Sequence, residues 1–223
     1  ALYGSILNRP DCLEAAAFAG MDLNRNMDVV TAFQNKQNDV GIFYSEASNL
    51  YDTEYKQNMV KAYETLLYNG LRCGFVSEEK MELLSEYDTL VIPHAAYAED
   101  SSVEAINEFV KNGGRLIYIG DECLSYDEFT ILRNEKPTAE VVENTQLAAA
   151  LSNKIKYQPI DAESNQTAEK ISAECVTIGD DTYINVCNYN SVETQSIYLQ
   201  SENKIFFYEN LTEESDNNGL ITL

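Results

Sequence analysis

The chain has 223 residues, 44% of them hydrophobic, enough for one large domain or two small ones with a real core. It carries 37 acidic against 15 basic residues, a formal charge of −22. A surface this acidic repels nucleic acid and anionic membranes, which argues against both as partners.

The acidic residues are spread along the chain and form no tail, so disorder is not indicated. There is no apolar run of about 20 residues and no secretory h-region. Cys12, Cys73, Cys123, Cys175 and Cys187 lie far apart, with no CxxC pair to suggest a zinc knuckle or a redox motif. Several sit in apolar strand patterns, where Cys acts as a small hydrophobe, so reduced thiols are expected. Reduced thiols favour the cytoplasm without fixing the compartment. The sequons at Asn165 and Asn210 are of the kind that arise by chance in an Asn-rich chain. The chain has no initiator Met and opens inside what reads as a continuing element, so it is expected to be cut from a longer protein.

In chain order, residues 1–34 are helical in character. CLEAAAFAGMDLNR places Leu13, Ala16, Ala17, Gly20 and Leu23 at helical spacing, MDVVTAFQ follows, and Asn35–Asp39 is a polar linker. Val40–Tyr44, Arg72–Val76, Thr89–Pro93 and Arg115–Gly120 are short runs rich in β-branched and aromatic residues and apolar on both faces, the mark of parallel strands buried between helices. Between them a helix is expected over Glu54–Asn69, with Gly70 as its C′ residue. A short acidic helical piece follows Val76, and a helix capped by Ser101 and Glu104 runs to Lys111. This alternation predicts an open doubly wound α/β unit. Beyond Phe129 a helix is expected over Ala139–Leu151. Lys170–Ile178, Thr182–Tyr189, Thr194–Gln200 and Lys204–Glu209 then read as short strands of an antiparallel sheet or small sandwich. A domain boundary falls near residue 153.

Candidate chemistry gathers after the strands, at the sheet edge where open α/β folds bind ligands. His94, the only histidine, follows the third core strand and is a candidate base, weighed against a loop histidine with a satisfied ring. Cys123 follows the fourth, in GDECLS. The position suits a nucleophile elbow, but acidic and bulky neighbours replace the small residues an elbow needs, and nearby carboxylates raise a thiol pKa. Ser45, Glu46, Tyr97, Asp121 and Glu122 are candidate ligand contacts in the loops. The carboxylates at 121, 122, 127 and 128 lack the glycine and alternating oxygens of a calcium loop. No GxGxxG, Walker loop or HExxH occurs, so no metal and no cofactor are expected.

VGIFYSEASNLYD, then LLYNGLRCGFVSEE, then YDTLVIPHAAYAEDSSVEAINEFVKNGGRLIYIGD resemble the trimerisation domain of family 42 glycoside hydrolases, the β-galactosidases. DDTYINVCNYNSVETQSIYL and ENKIFFYENLTEES are similar to the small β-domain that follows it. The resemblance covers roughly residues 38 to 223. It implies a flavodoxin- or amidotransferase-like sheet over residues 38–153, a β-sandwich over 154–223, and in 1–37 the helical tail of a preceding barrel. The family's catalytic glutamates lie in a (β/α)₈ barrel of about 250 residues, for which this chain has too few strands, so none carries over. The amidotransferase triad fails as well, because no histidine follows Cys123. The resemblance therefore implies a non-catalytic partner of a glycosidase, active in self-association or in contact with its barrel. Two alternatives stand beside it. One is a thiol-dependent amidohydrolase using Cys123 and His94. The other is a carbohydrate-binding module, weakened by the absence of Trp and kept open by 15 tyrosines.

Overall fold

A computed structural model describes residues 9–190, 192 and 194–200, together with the backbone of 220–222. Two compact units emerge. One holds residues 1–36 with 175–184, and the other holds 37–174 with 185–223.

The larger unit is built on a five-stranded parallel sheet of order β2-β1-β3-β4-β5. Its strands are β1 (Val40–Tyr44), β2 (Cys73–Ser77), β3 (Thr89–Pro93), β4 (Arg115–Ile119) and β5 (Glu140–Val142). The continuous apolar runs are explained by what each strand face meets. Leu90, Ile92, Leu116 and Tyr118 pack with Phe43, Val103 and Ile106 in one cluster. Val91, Ile117 and Ile119 pack with Val40, Ile42, Ala62, Leu66 and Leu147 in a second. Successive strand side chains point to opposite faces, so a strand covered by helices on both sides must be apolar at every position. The covering helices are α4 (Tyr55–Tyr68) and α6 (Leu147–Ala150) on one face, and α5 (Asp100–Lys111) on the other with a 3-10 helix over Glu78–Glu86.

The helix α4 ends as its glycine predicts. Gly70 sits at φ +75, its N–H bonds Leu67 O at 3.0 Å, and Leu71 N–H bonds Leu66 O at 3.0 Å, which is a Schellman closure. No side chain could replace that hydrogen, because a Cβ would stand 2.5 Å from the backbone oxygen of Ala173.

Two local expectations are corrected. The Ser101–Glu104 capping box does not form; α5 starts at Asp100 with Glu99 as N-cap, and Ser101 Oγ reaches Glu99 Oε2 at 3.3 Å instead. The reason lies in tertiary structure: the Glu78 carboxylate takes the Glu99 N–H at 3.0 Å and holds that residue extended, so the helix begins earlier. Residues 139–151 are not one helix either. Glu140–Val142 pair with β4 as the edge strand β5, a 3-10 turn follows over Asn144–Gln146, and only Leu147–Ala150 is α-helical. An exposed edge position beside β4 outweighs the helix propensity of the segment.

The later strands are β6 (Gln158–Asp161), β7 (Ile171–Ile178), β8 (Asp181–Asn188), β9 (Ser196–Gln200) and β10 (Leu220–Thr222). They form a three-stranded antiparallel sheet of order β10-β9-β6 and a separate β7-β8 hairpin. The strand expected over 204–209 lies outside the described residues. In the smaller unit, α1 (Pro10–Arg25) and α2 (Met27–Asn35) realise the helical reading from residue 10 onward, and neither contains a fully buried side chain; the part of that reading on residues 1–8 lies outside the described residues.

Candidate functional site

The strand order reverses between β1 and β3, so the loops leaving their carboxyl ends diverge and open a crevice. A cleft of about 540 Å³ lies there, lined by Tyr44, Glu46, Asn49, Tyr51, Glu78, Glu99 and Glu128 among others. Each lining segment follows a different strand. The short helix α3 (Glu46–Tyr51) is capped by Ser45, whose Oγ accepts the Ser48 N–H at 2.9 Å.

Buried hydroxyls organise the loops behind the cleft. Ser45 Oγ donates to Tyr97 O at 2.7 Å. Ser48 Oγ donates to the same carbonyl at 2.7 Å and accepts the Tyr97 N–H at 2.9 Å, which ties the β1 loop to the β3 loop. Beneath them Tyr55 is fully buried. Its Oη accepts the Ser45 N–H at 3.0 Å, and burial pushes its hydroxyl well above the usual tyrosine range. Tyr97 stacks on Tyr126 at 5.2 Å between ring centroids and meets Tyr51 at the same distance.

Glu78 is the residue that sequence reasoning passed over. One oxygen accepts the Glu46 N–H at 2.8 Å, and the other accepts the Glu99 N–H at 3.0 Å. A carboxylate spent on backbone amides of two loops fixes the shape of the cleft. Its signal was present: an acid directly after a strand, at the ligand-bearing edge. Oε2 of Glu128 is out of solvent and has no hydrogen-bond donor among the described residues.

The candidate residues do not converge on one spot. Of Ser45, Glu46, His94, Tyr97, Asp121, Glu122 and Cys123, only Glu46 lines the cleft. Ser45 and Tyr97 stand behind it as described. The others lie where β3 and β4 leave the sheet side by side, His94 after β3 and Asp121, Glu122 and Cys123 after β4. His94 has φ +52, its N–H bonds Ile119 O at 2.9 Å, and its ring lies over Gly120, where a Cβ would come within 2.8 Å of Nδ1. The Cys123 thiol has no solvent exposure and lies 3.2 Å from the carbonyls of Ile92 and Ile119. Burial pushes it up to about 12, against a smaller lowering by nearby backbone amides of His94 and Ala95 and by the Lys136 charge. The Asp121 and Glu122 side chains are exposed; the Asp121 carbonyl accepts Lys136 Nζ at 2.6 Å. Among the described residues no group of three or more His, Cys, Asp or Glu side chains is placed to hold a metal. The cleft thus presents fixed acceptors and tyrosine rings, and the one thiol near the sheet edge is held protonated beneath the surface.

An open parallel sheet with helices on both faces, and a cleft where its strand order reverses, defines a doubly wound α/β domain. Residues 29–120 match the family model described as the β-galactosidase trimerisation domain. In both pattern and fold, then, the chain resembles the trimerisation domain of family 42 glycoside hydrolases. Among solved structures it is similar to an exo-carrageenase GH42 from Bacteroides ovatus, with 20% identity and a TM-score of 0.77 over 91% of this chain and 30% of that one. It is also similar to Gan42B, a GH42 β-galactosidase from G. stearothermophilus, at 14% identity and TM-score 0.58 over 85% of this chain and 39% of that one. A β-galactosidase from Bacillus circulans sp. alkalophilus matches at 12% identity and TM-score 0.56, over 95% of this chain and 43% of that one. The chain therefore spans less than half the length of these structures. No curated protein sequence matches it. No described helix is long and apolar enough to cross a membrane.

Proposed function

We propose that this chain is the non-catalytic, self-associating portion of a family 42-type glycoside hydrolase, and that it assembles as a trimer. The match of residues 29–120 to a domain described by its trimerisation carries the reading. In it, residues 38–153 supply the associating domain, 154–223 a supporting β-domain and 1–37 the helical lead-in. The parent protein acts on a galactose-containing glycan through carboxylates that lie outside these 223 residues. The burial of the Cys123 thiol and the use of Glu78 on backbone amides support a role in shape rather than in bond cleavage.

Sedimentation velocity and light scattering on the purified chain test this. The expected result is a species of three times the chain mass that persists on dilution. A monomer at every concentration overturns the reading.

A further inference from the structure

The cleft beside β1 offers more than shape. At about 540 Å³ it has the size of a small-molecule site, and it stands where open α/β sheets take ligands. Its lining is of two kinds. One is apolar and aromatic. The helix α3 ends in Leu50 and Tyr51, which are 77% and 48% exposed. The Tyr51 ring leans on Tyr97, which stacks in turn on Tyr126, so its free face is a platform set before any ligand arrives. The other kind is a set of hydrogen-bond acceptors. Glu78 is already engaged, since its two oxygens hold backbone amides. Glu128 is not. Its Oε2 is out of solvent and accepts nothing among the described residues, a costly state for a carboxylate oxygen. The last torsion of a glutamate turns easily, and a half-turn exchanges its two oxygens, so this carboxylate is free to accept from a ligand. Glu46 and Glu99 add exposed carboxylates, and Asn49 adds an amide that can donate and accept.

We propose that this cleft binds a neutral saccharide, with a sugar ring laid on Tyr51 and its hydroxyls donating to Glu128 and the exposed carboxylates. A sugar ring is divided as the cleft is, into an apolar C–H face and an edge of hydroxyl donors. Other ligand classes match it less well. Among the described residues no Lys, Arg or His lines the cleft, so an acidic sugar or a phosphate would meet only like charge. Nor do three or more His, Cys, Asp or Glu side chains among them converge to hold a metal. Glu46 and Glu99 are screened by water, and Glu78 is answered by two amides, so the acidic charge is not focused on a single cation. The neutral, hydroxyl-rich class rests on the cleft alone. The choice of a galactoside within that class rests on the glycoside-hydrolase reading above.

Saturation-transfer difference NMR on the purified full chain decides the matter, with galactobiose, maltose, galacturonic acid and putrescine as probes and far-UV circular dichroism to confirm that each variant folds. The expected result is a saturable signal from galactobiose and at least tenfold weaker binding of galacturonic acid and putrescine. Tyr51→Ala and Glu128→Gln should each raise the galactobiose dissociation constant about tenfold, the loss of one ring contact or one charge-assisted hydrogen bond. Tyr51→Phe keeps the ring and should bind as the wild type does, as should Val60→Ser, an exposed control on α4. No signal from either disaccharide overturns the proposal, and so does putrescine bound in their place. A galactobiose signal that both Tyr51→Ala and Glu128→Gln leave unchanged overturns the cleft as its location. Maltose bound in preference to galactobiose overturns the choice of a galactoside. Sedimentation of the same samples keeps the two readings apart. A trimer that binds no saccharide overturns the cleft proposal alone, whereas a monomer that binds galactobiose through Tyr51 and Glu128 overturns self-association alone.

Discussion

Gly120 shows how a single hydrogen atom shapes the β4 exit. Its φ of +92 is one that L side chains rarely adopt, and the His94 ring occupies the space a Cβ would need. Gly120→Ala should therefore cost roughly 2–3 kcal/mol, read as a fall of about 5–10 °C in thermal midpoint by circular dichroism. Adding His94→Ala should restore the steric part and leave the backbone part. A Gly120→Ala protein as stable as the wild type would contradict this packing. Cys123 is governed by burial in the same region. At pH 8 a thiol pushed up to about 12 carries roughly a thousandfold less thiolate than one at its ordinary value of 9.0. Iodoacetamide should label Cys123 last of the five cysteines in the native protein, and at a rate like the others in urea. Rapid native labelling would mean that the thiol is poised for chemistry. The sequence exposed the weak points of an elbow at Cys123 through its acidic and bulky flanks. It could not reveal that Ile92 and Ile119 carbonyls would enclose the sulfur, because that enclosure joins residues 31 and 4 positions away.

At the scale of elements, what was legible followed from what stays local. Val40–Tyr44 and Thr89–Pro93 were readable to the residue because both faces of each strand are buried, so no polar position interrupts the run. The stop at Gly70 was readable because a left-handed C′ residue selects glycine. The misses came where a distant partner decided the outcome: Glu78 moved the start of α5, and β4 drew Glu140–Val142 into the sheet. The cleft was legible as a sheet edge but not as a set of residues, since Glu78 acts through the amides of two other loops. Tyr55 is the anchor that joins these levels, for α4 carries it under the β1 loop, where it accepts the Ser45 N–H and lies 3.3 Å from Phe43 O. Tyr55→Phe keeps the ring and strands that buried amide, which should cost about 1–2 kcal/mol in urea unfolding. Loss of less than a few tenths would mean that water or another group satisfies Ser45.

For the whole molecule, the charge of −22 and the buried acids limit the working pH from the same, alkaline side. Cys123, Tyr55 and Tyr118 all have hydrogen-bonding protons kept in place by burial, with folded-state values raised above the ordinary ones. A raised acid binds its proton more tightly in the folded than in the unfolded chain. Its stabilising effect is complete below the unfolded value and is lost as pH climbs toward the folded one. For Cys123 that window opens near 9.0 and closes near 12, and the two tyrosines begin to add to the loss above 10.0. Self-repulsion grows over the same range as lysines lose charge. Stability from urea titrations should accordingly be flat from neutrality to about pH 9 and fall steeply beyond it. Cys123→Ala removes the earliest contributor, so its curve should stay flat for about one pH unit longer, although its neutral-pH stability is lower by the lost packing. If wild type and Cys123→Ala bend at the same pH, the thiol is not the first group to give way, and its enclosure beneath the β4 exit would have to be looser than the geometry describes.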